Sequence, residues 1–243
     1  MLETTGRDVK GLLPFLIGTT GRLLATAETI GDEAIRAPSL LPGWSRAHVL
    51  AHIAGSTDSR VRLLVAAAAR LDIPQYPSEQ ARTEQIEADA ARPRAALLAR
   101  VRRSLTEAVT AVLTHPADRW NEEVEWLGGD RHPVHRAVSS LLQELEVHHV
   151  DLDAGYRPAD WPGWFVADES RRVLASFSDR PEMPRIEVRA TDQDIGHVFG
   201  EDPELLVTGA GYALLAWLTG RSGGEGLSVA PPGPLPELPA WKQ

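Results

Sequence analysis

The alternation of hydrophobic and polar positions predicts long helices over the first two thirds of the chain. Apolar residues recur at helical spacing in four regions: Val9 to Ile30, Arg46 to about Leu71, Ser78 to Leu113, and about Val134 to Ala154. Ser45 is suited to cap the second region, and Pro93 can begin the second half of the third, because proline is tolerated in a first helical turn. The segment Asn121 to Pro133 predicts a short hairpin or a structured loop. Long helices with short connections favour an antiparallel four-helix bundle, which can place metal ligands on facing helices.

The pattern changes after Gly155, where prolines and aromatic residues cluster. Beyond it we predict a smaller unit with helices at Val166 to Phe177 and Gly211 to Leu218, and strands at Arg185 to Ala190 and Leu205 to Thr208. The proline-rich tail from Pro231 to Pro239 is expected to be an extended arm. The predicted fold class is therefore α+β, with a helical domain over residues 1–155 and a small α+β domain over residues 156–243.

Composition and charge narrow the classes of function. The 243 residues are 43% hydrophobic and 24% charged, which is ordinary for a globular protein, and the net charge of −9 argues against nucleic acid as a partner. The arginines between Arg92 and Arg103 are interpreted as a solvated helix face. The chain has no cysteine, no recognisable signal peptide and no apolar run long enough for a membrane span. We expect a cytoplasmic protein that does not bind membranes and is a monomer.

Three residues that are far apart in the chain carry the main chemical signal. Glu144 and His148 are four residues apart on one predicted helix, so their side chains lie on the same face. His52 lies on an earlier amphipathic helix, which a bundle can bring alongside. Three nitrogen and oxygen ligands with a fourth position open are typical of a catalytic metal site rather than of a structural one.

Other interpretations of this region remain open. Each histidine can be an ordinary hydrogen-bonded helix residue, His149 competes with His148 as a ligand, and Glu146 competes with Glu144. Asp151, three residues after His148, can accept the second ring N–H of that histidine or can be a solvated side chain.

A second pair of histidines excludes one enzyme class. His48 and His52 are also four residues apart, as in the zinc-protease motif. That motif requires a glutamate directly after the first histidine as the general base, and Val49 stands there. The metalloprotease interpretation therefore fails on its own pattern.

Nearly the whole chain resembles the mycothiol-dependent maleylpyruvate isomerases, members of the wider group of DinB-like metalloenzymes. The resemblance rests on the segments Leu41 to His52, Glu144 to Leu152 and Thr219 to Arg221. It implies a DinB-like four-helix domain in which His52, Glu144 and His148 bind Zn²⁺ or another divalent metal. It also implies a C-terminal domain similar to sterol carrier proteins. Many DinB-like proteins are similar but use three histidines, so Glu144 favours the mycothiol branch.

The resemblance further implies a catalytic arginine, and Arg221 matches its position. A guanidinium can bind a substrate carboxylate through two hydrogen bonds or stabilise an enolate. The alternative is a cation that interacts with a helix C-terminus. Trp44 or Trp126 can line the substrate pocket or belong to the core.

The absence of cysteine agrees with a thiol-dependent reaction. Reversible addition of a thiol to an activated double bond permits rotation, and expulsion of the thiol then completes cis–trans isomerisation. A free thiol is mostly protonated at neutral pH, and coordination to Zn²⁺ deprotonates it. The sulfur would come from mycothiol, and the substrate would be a small electrophile such as a maleylpyruvate-type cis-enoic acid. The alternatives are a mycothiol S-transferase for another electrophile and a zinc- or lipid-binding module without catalysis.

Overall fold

The computed structural model describes residues 9–178 and 180–241, which form two compact units, one ending at Tyr156 and the other beginning at Arg157. The first unit contains five α-helices: α1 (Leu13–Thr29), α2 (Arg46–Ala69), α3 (Glu79–Ala90), α4 (Arg94–Thr114) and α5 (Arg136–Asp151). It also contains short 3₁₀ turns at Val9–Leu12 and Ala34–Arg36 and one hairpin, β1 (Glu123–Glu125) and β2 (Arg131–Pro133). The chain is therefore mainly helical up to this point, as its hydrophobic pattern predicts.

Helices α1, α2, α4 and α5 pack on one another as a four-helix bundle, and α3 packs on α2. Helix α2 is the central helix, because it contacts three others and is buried on most of its surface. Its predicted cap is confirmed, since the Ser45 hydroxyl accepts a hydrogen bond from the His48 backbone N–H at 3.4 Å. The third predicted helical region is two helices, and Pro93 directly precedes the second of them, as expected.

The segment between α4 and α5, for which the sequence predicts a short hairpin or a structured loop, is a hairpin. Strands β1 and β2 are antiparallel, and Val124 is paired with His132. Gly128 and Gly129 lie in the turn with φ of +100° and +93°, backbone conformations that residues with a Cβ atom rarely adopt. These two glycines allow the chain to reverse within a few residues before α5 begins.

The second unit combines two helices with a four-stranded sheet. Its elements are a 3₁₀ turn at Pro158–Asp160, α6 (Gly163–Phe177), β3 (Ile186–Ala190), β4 (Gly196–Phe199), β5 (Leu205–Gly209), α7 (Gly211–Leu218) and β6 (Ser228–Ala230). The strand order is β4-β3-β5-β6, with β3 and β5 parallel and the two outer pairs antiparallel. The segment from Pro231 to Pro239 has no helix or strand.

The predicted fold class, α+β with a helical bundle followed by a smaller mixed unit, is confirmed. The sequence pattern missed β4 and β6, which are the two edge strands of the sheet and are only three or four residues long. Within the described residues, no helix is both long enough and apolar enough to span a bilayer.

Candidate metal centre

The structure brings His52, Glu144 and His148 together inside the first unit. His52 lies on α2, and Glu144 and His148 lie one turn apart on α5, which packs against α2. All three are buried, with exposed fractions of 5%, 8% and 5%. Residues 92 positions apart in the chain therefore contact each other directly, because His52 Nε2 lies 3.0 Å from Glu144 Oε2.

The spacing of the three donor atoms fits a small divalent cation. His52 Nε2 is 3.0 Å from His148 Nε2, and His148 Nε2 is 3.7 Å from Glu144 Oε2. Donors bonded to a tetrahedral Zn²⁺ at its usual bond lengths lie roughly 3.3 Å apart, which is within the observed spread. One donor atom from each residue lies within 4.8 Å of the others. Two imidazoles and one carboxylate are also the donor set found in catalytic zinc sites that keep a position open.

Asp151 orients His148. The Asp151 Oδ2 atom accepts a hydrogen bond from His148 Nδ1 at 2.8 Å, and Asp151 is 1% exposed. An acceptor at Nδ1 keeps the proton on that nitrogen, so the lone pair of Nε2 points toward the other two donors. Of the two interpretations of Asp151, the hydrogen bond with His148 is the one found, and the solvated side chain is not.

Glu144 is held by groups on α2. The Ser56 hydroxyl donates a hydrogen bond to Glu144 Oε2 at 2.8 Å, and the Arg60 Nη2 atom lies 3.2 Å from Glu144 Oε1. Burial by itself raises the pKa of the Glu144 carboxyl, but the Arg60 charge and the hydrogen bond with His52 hold that pKa well below its usual range. Glu144 is therefore a carboxylate, the form that binds metal.

His52 is suited to be a neutral ligand. Its burial lowers the pKa of the imidazole, against the opposing effect of its hydrogen bond with Glu144. Its second ring nitrogen, Nδ1, lies 3.3 Å from Arg82 Nη2 on α3, and the Trp44 ring lies 5.5 Å from the His52 ring. Trp44 thus lies beside the cluster, and its role in a substrate pocket remains a prediction.

Three residues near the cluster were missed by the sequence analysis: Ser56, Arg60 and Arg82. A signal for two of them was present, because His52, Ser56 and Arg60 follow one another at four-residue spacing and so share one face of α2. Arg82 gave no comparable signal, because it reaches His52 from a separate helix.

The competing ligands of α5 face elsewhere. Glu146 Oε1 lies 2.5 Å from Arg22 on α1, and Glu146 Oε2 accepts a hydrogen bond from the Tyr156 hydroxyl at 2.6 Å. The His149 ring stacks on Tyr156 with 3.7 Å between centroids, and His149 Nε2 lies 2.8 Å from the Thr26 hydroxyl. Glu146 and His149 therefore help to attach α5 to α1 rather than joining the cluster.

Arg221, the predicted catalytic arginine, belongs to the second unit. It follows α7, and its Nη1 atom donates a hydrogen bond to the Thr219 carbonyl at 2.7 Å. Its guanidinium carbon lies 5.7 Å from the centre of the Trp241 ring. The catalytic role of Arg221 remains a prediction.

A helical bundle with a buried His–Glu–His cluster defines a candidate metalloprotein of the DinB-like type. The family model for the "Mycothiol maleylpyruvate isomerase N-terminal domain" matches residues 19–153, more than half of the chain. The chain therefore belongs to the mycothiol maleylpyruvate isomerase family, as the sequence resemblance indicated. The comparison with curated proteins gave no match.

Two solved structures are similar over the full length. One is a mycothiol-dependent maleylpyruvate isomerase, with 22% identity and a TM-score of 0.89 over 98% of this chain and 99% of that one. The other is the H52A mutant of a mycothiol-dependent maleylpyruvate isomerase, with 21% identity, the same TM-score and the same coverage of both chains. At this level of identity, the likeness establishes the fold.

Proposed function

We propose that this protein is a metal- and mycothiol-dependent isomerase that converts maleylpyruvate-type cis-enoic acids to their trans isomers. The observation that carries the proposal is the buried set of three donor atoms from His52, Glu144 and His148. Family membership supports the reaction type, and both similar structures are of mycothiol-dependent maleylpyruvate isomerases.

The proposed ligands are the two imidazole Nε2 atoms and the Glu144 carboxylate. A Zn²⁺ ion bound there would lower the pKa of a thiol ligand and so supply a thiolate at neutral pH. Two neutral histidines and one carboxylate leave a net positive charge on the metal, which favours an anionic sulfur in the remaining position. The chain has no cysteine, so the sulfur has to come from a separate molecule.

The chemistry of the reaction requires an external thiol and no oxidant. Sulfur forms a bond to one alkene carbon, and the electron pair of the double bond moves onto the conjugated carbonyl. Rotation then occurs about the carbon–carbon bond that was the double bond. The reverse movement of electrons expels the thiolate and restores the double bond. We further propose that Arg221 binds a carboxylate of the substrate or stabilises the enolate.

The test is maleylpyruvate consumption by purified protein of known metal content, with mycothiol, with glutathione and without thiol. We expect formation of fumarylpyruvate only when both a divalent metal and mycothiol are present. A folded, metal-loaded protein that leaves maleylpyruvate unchanged would contradict the isomerase proposal. Consumption of mycothiol with another electrophile would then support the S-transferase alternative.

A pair of variants tests the ligands. His52→Ala should lose the metal, because one of three donors is missing, and His48→Ala serves as the control from one turn earlier on the same helix. His48 bonds with Ser45 at the start of α2 and is outside the donor set, so this control should retain metal. Full metal occupancy in His52→Ala would refute the ligand assignment.

A further inference from the structure

Arg60 is a buried cation beside the candidate metal centre. It is 8% exposed and lies on α2, two turns after His52. Its Nη1 atom donates to the Ser56 hydroxyl at 2.7 Å, and its Nη2 atom donates to the Ser140 hydroxyl at 2.9 Å. The guanidinium is thus fixed from both α2 and α5. Its position relative to Glu144 is therefore set by the packing of these two helices.

The two oxygens of Glu144 have different surroundings. Oε1 lies 3.2 Å from Arg60 Nη2. Oε2 accepts a hydrogen bond from the Ser56 hydroxyl at 2.8 Å and lies 3.0 Å from His52 Nε2 and 3.7 Å from His148 Nε2, so it is the oxygen next to the two imidazoles. Each carboxylate oxygen has two lone pairs, so Oε2 can accept the Ser56 hydrogen bond and still bind a metal. The guanidinium at Oε1 competes more strongly with a second metal–oxygen contact, because its positive charge repels the cation.

We propose that Arg60 is a positioning residue that restricts Glu144 to a single-oxygen contact with the bound metal. The inference rests on the metal site proposed above. With Oε1 paired to Arg60, Glu144 takes up one coordination position instead of two. The remaining position can then accept the thiol, which a two-oxygen carboxylate would partly exclude.

A simpler role for Arg60 would be to compensate the buried charge of Glu144. Breaking a buried ion pair destabilises the protein whether or not a metal is bound. The two roles differ in their effect on the metal itself. Charge compensation alone affects folding, whereas positioning also changes the affinity for the metal and the number of its ligands.

The experiment measures Co²⁺ binding by competition with a chromophoric chelator, together with the visible absorption of the bound Co²⁺. The proteins are wild type, Arg60→Met and Arg60→Lys. Arg100→Met is the matched control, because Arg100 is also a poorly exposed arginine of this unit, and its ion-pair partners are Asp58 and Asp89. Thermal unfolding of each apoprotein reports on stability separately.

We expect Arg60→Met to bind Co²⁺ roughly 10- to 100-fold more weakly, because groups that hold a ligand usually have effects of this size. The visible absorption of Co²⁺ bound to Arg60→Met should also weaken, because the second Glu144 oxygen would then bind the metal and raise its coordination number. Arg60→Lys should lie between wild type and Arg60→Met, because an ammonium can pair with Oε1 but lacks the planar fork. Arg100→Met should lose stability and keep the wild-type affinity and spectrum.

A double-mutant cycle links the effect to Glu144. In the Glu144→Gln background, Arg60→Met should cause little further loss of affinity, because the carboxylate it positions is absent. An equal loss in both backgrounds would overturn the inference, as would wild-type affinity and spectrum in Arg60→Met. If Arg60→Met fails to fold, a wild-type affinity and spectrum in Arg60→Lys combined with unchanged binding in Ser140→Ala would overturn it. Failure of the wild-type protein to bind Co²⁺ would instead refute the proposed metal site.

Discussion

Removal of the Asp151 carboxylate tests how His148 is prepared for metal binding. Asp151→Ala deletes the acceptor of the His148 Nδ1 proton. Asp151→Asn keeps an oxygen that can accept the same proton but removes the negative charge. The two variants therefore separate the orientation of the imidazole from the increase in its basicity.

The structure sets the expected loss of metal affinity. The His148–Asp151 hydrogen bond is 2.8 Å long, and the two residues are only 5% and 1% exposed, so solvent does not screen the contact. A hydrogen bond to a charged group contributes about 1.5–3 kcal/mol. Because 1.4 kcal/mol corresponds to a factor of ten, Asp151→Ala should weaken metal binding roughly 10- to 100-fold. Asp151→Asn should weaken it less.

The assay is competition for Zn²⁺ against a chelator of known affinity. Asp153→Ala is the control, because this neighbouring aspartate pairs with Arg46 at 2.9 Å and its side chain is 57% exposed. Exposed ion pairs contribute little, so the control should bind metal as the wild type does. A folded Asp151→Ala protein with wild-type affinity would refute the reasoning. Equal losses of Zn²⁺ affinity in Asp151→Ala and Asp153→Ala would indicate a general effect on the end of α5.

Three further predictions concern stability, each measured by urea unfolding. Burial raises the pKa of Glu169 to about 8, so the folded protein keeps this proton up to about pH 8, whereas the unfolded chain loses it near pH 4.5. Stability should therefore fall as pH rises from 4.5 to 8, and Glu169→Gln should remove this part of the pH dependence; an unchanged profile would contradict the expectation. Tyr156→Phe should cost about 1.5–3 kcal/mol, because the 2.6 Å hydrogen bond to the buried Glu146 is lost while the ring remains, and a cost below 0.5 kcal/mol would refute it. Ser45→Ala should cost about 1 kcal/mol through loss of the α2 cap, and unchanged stability would show that the cap contributes little.

The helices, a hairpin or loop before α5, and the candidate metal ligands could all be predicted from the sequence alone. Helical periodicity and capping are local properties, so the cap at Ser45 and the break at Pro93 were readable from neighbouring residues. The one-turn spacing of Glu144 and His148 is likewise a consequence of the helix repeat. The chain also showed which ligand types are available, because it contains no cysteine.

Local patterns were insufficient where a contact depends on a distant segment. The arginines from Arg92 to Arg103 were interpreted as one solvated face, and Arg102 is indeed 60% exposed. Arg100, however, is only 11% exposed and pairs with Asp58 on α2, a partner that the sequence of α4 does not specify. The edge strands β4 and β6 were missed for a related reason, because short edge strands are defined by their pairing more than by their composition.

Helix packing selects which of the competing groups form the cluster. Glu144 and Glu146 are two residues apart on α5, but helix packing directs one toward α2 and the other toward α1. The same packing adds Arg60, whose charge meets a carboxylate 84 positions later in the chain. A helical pattern determines the direction in which each side chain projects from the axis of its helix. The partner on the next helix depends on how the axes are arranged, and that is a property of the packed core.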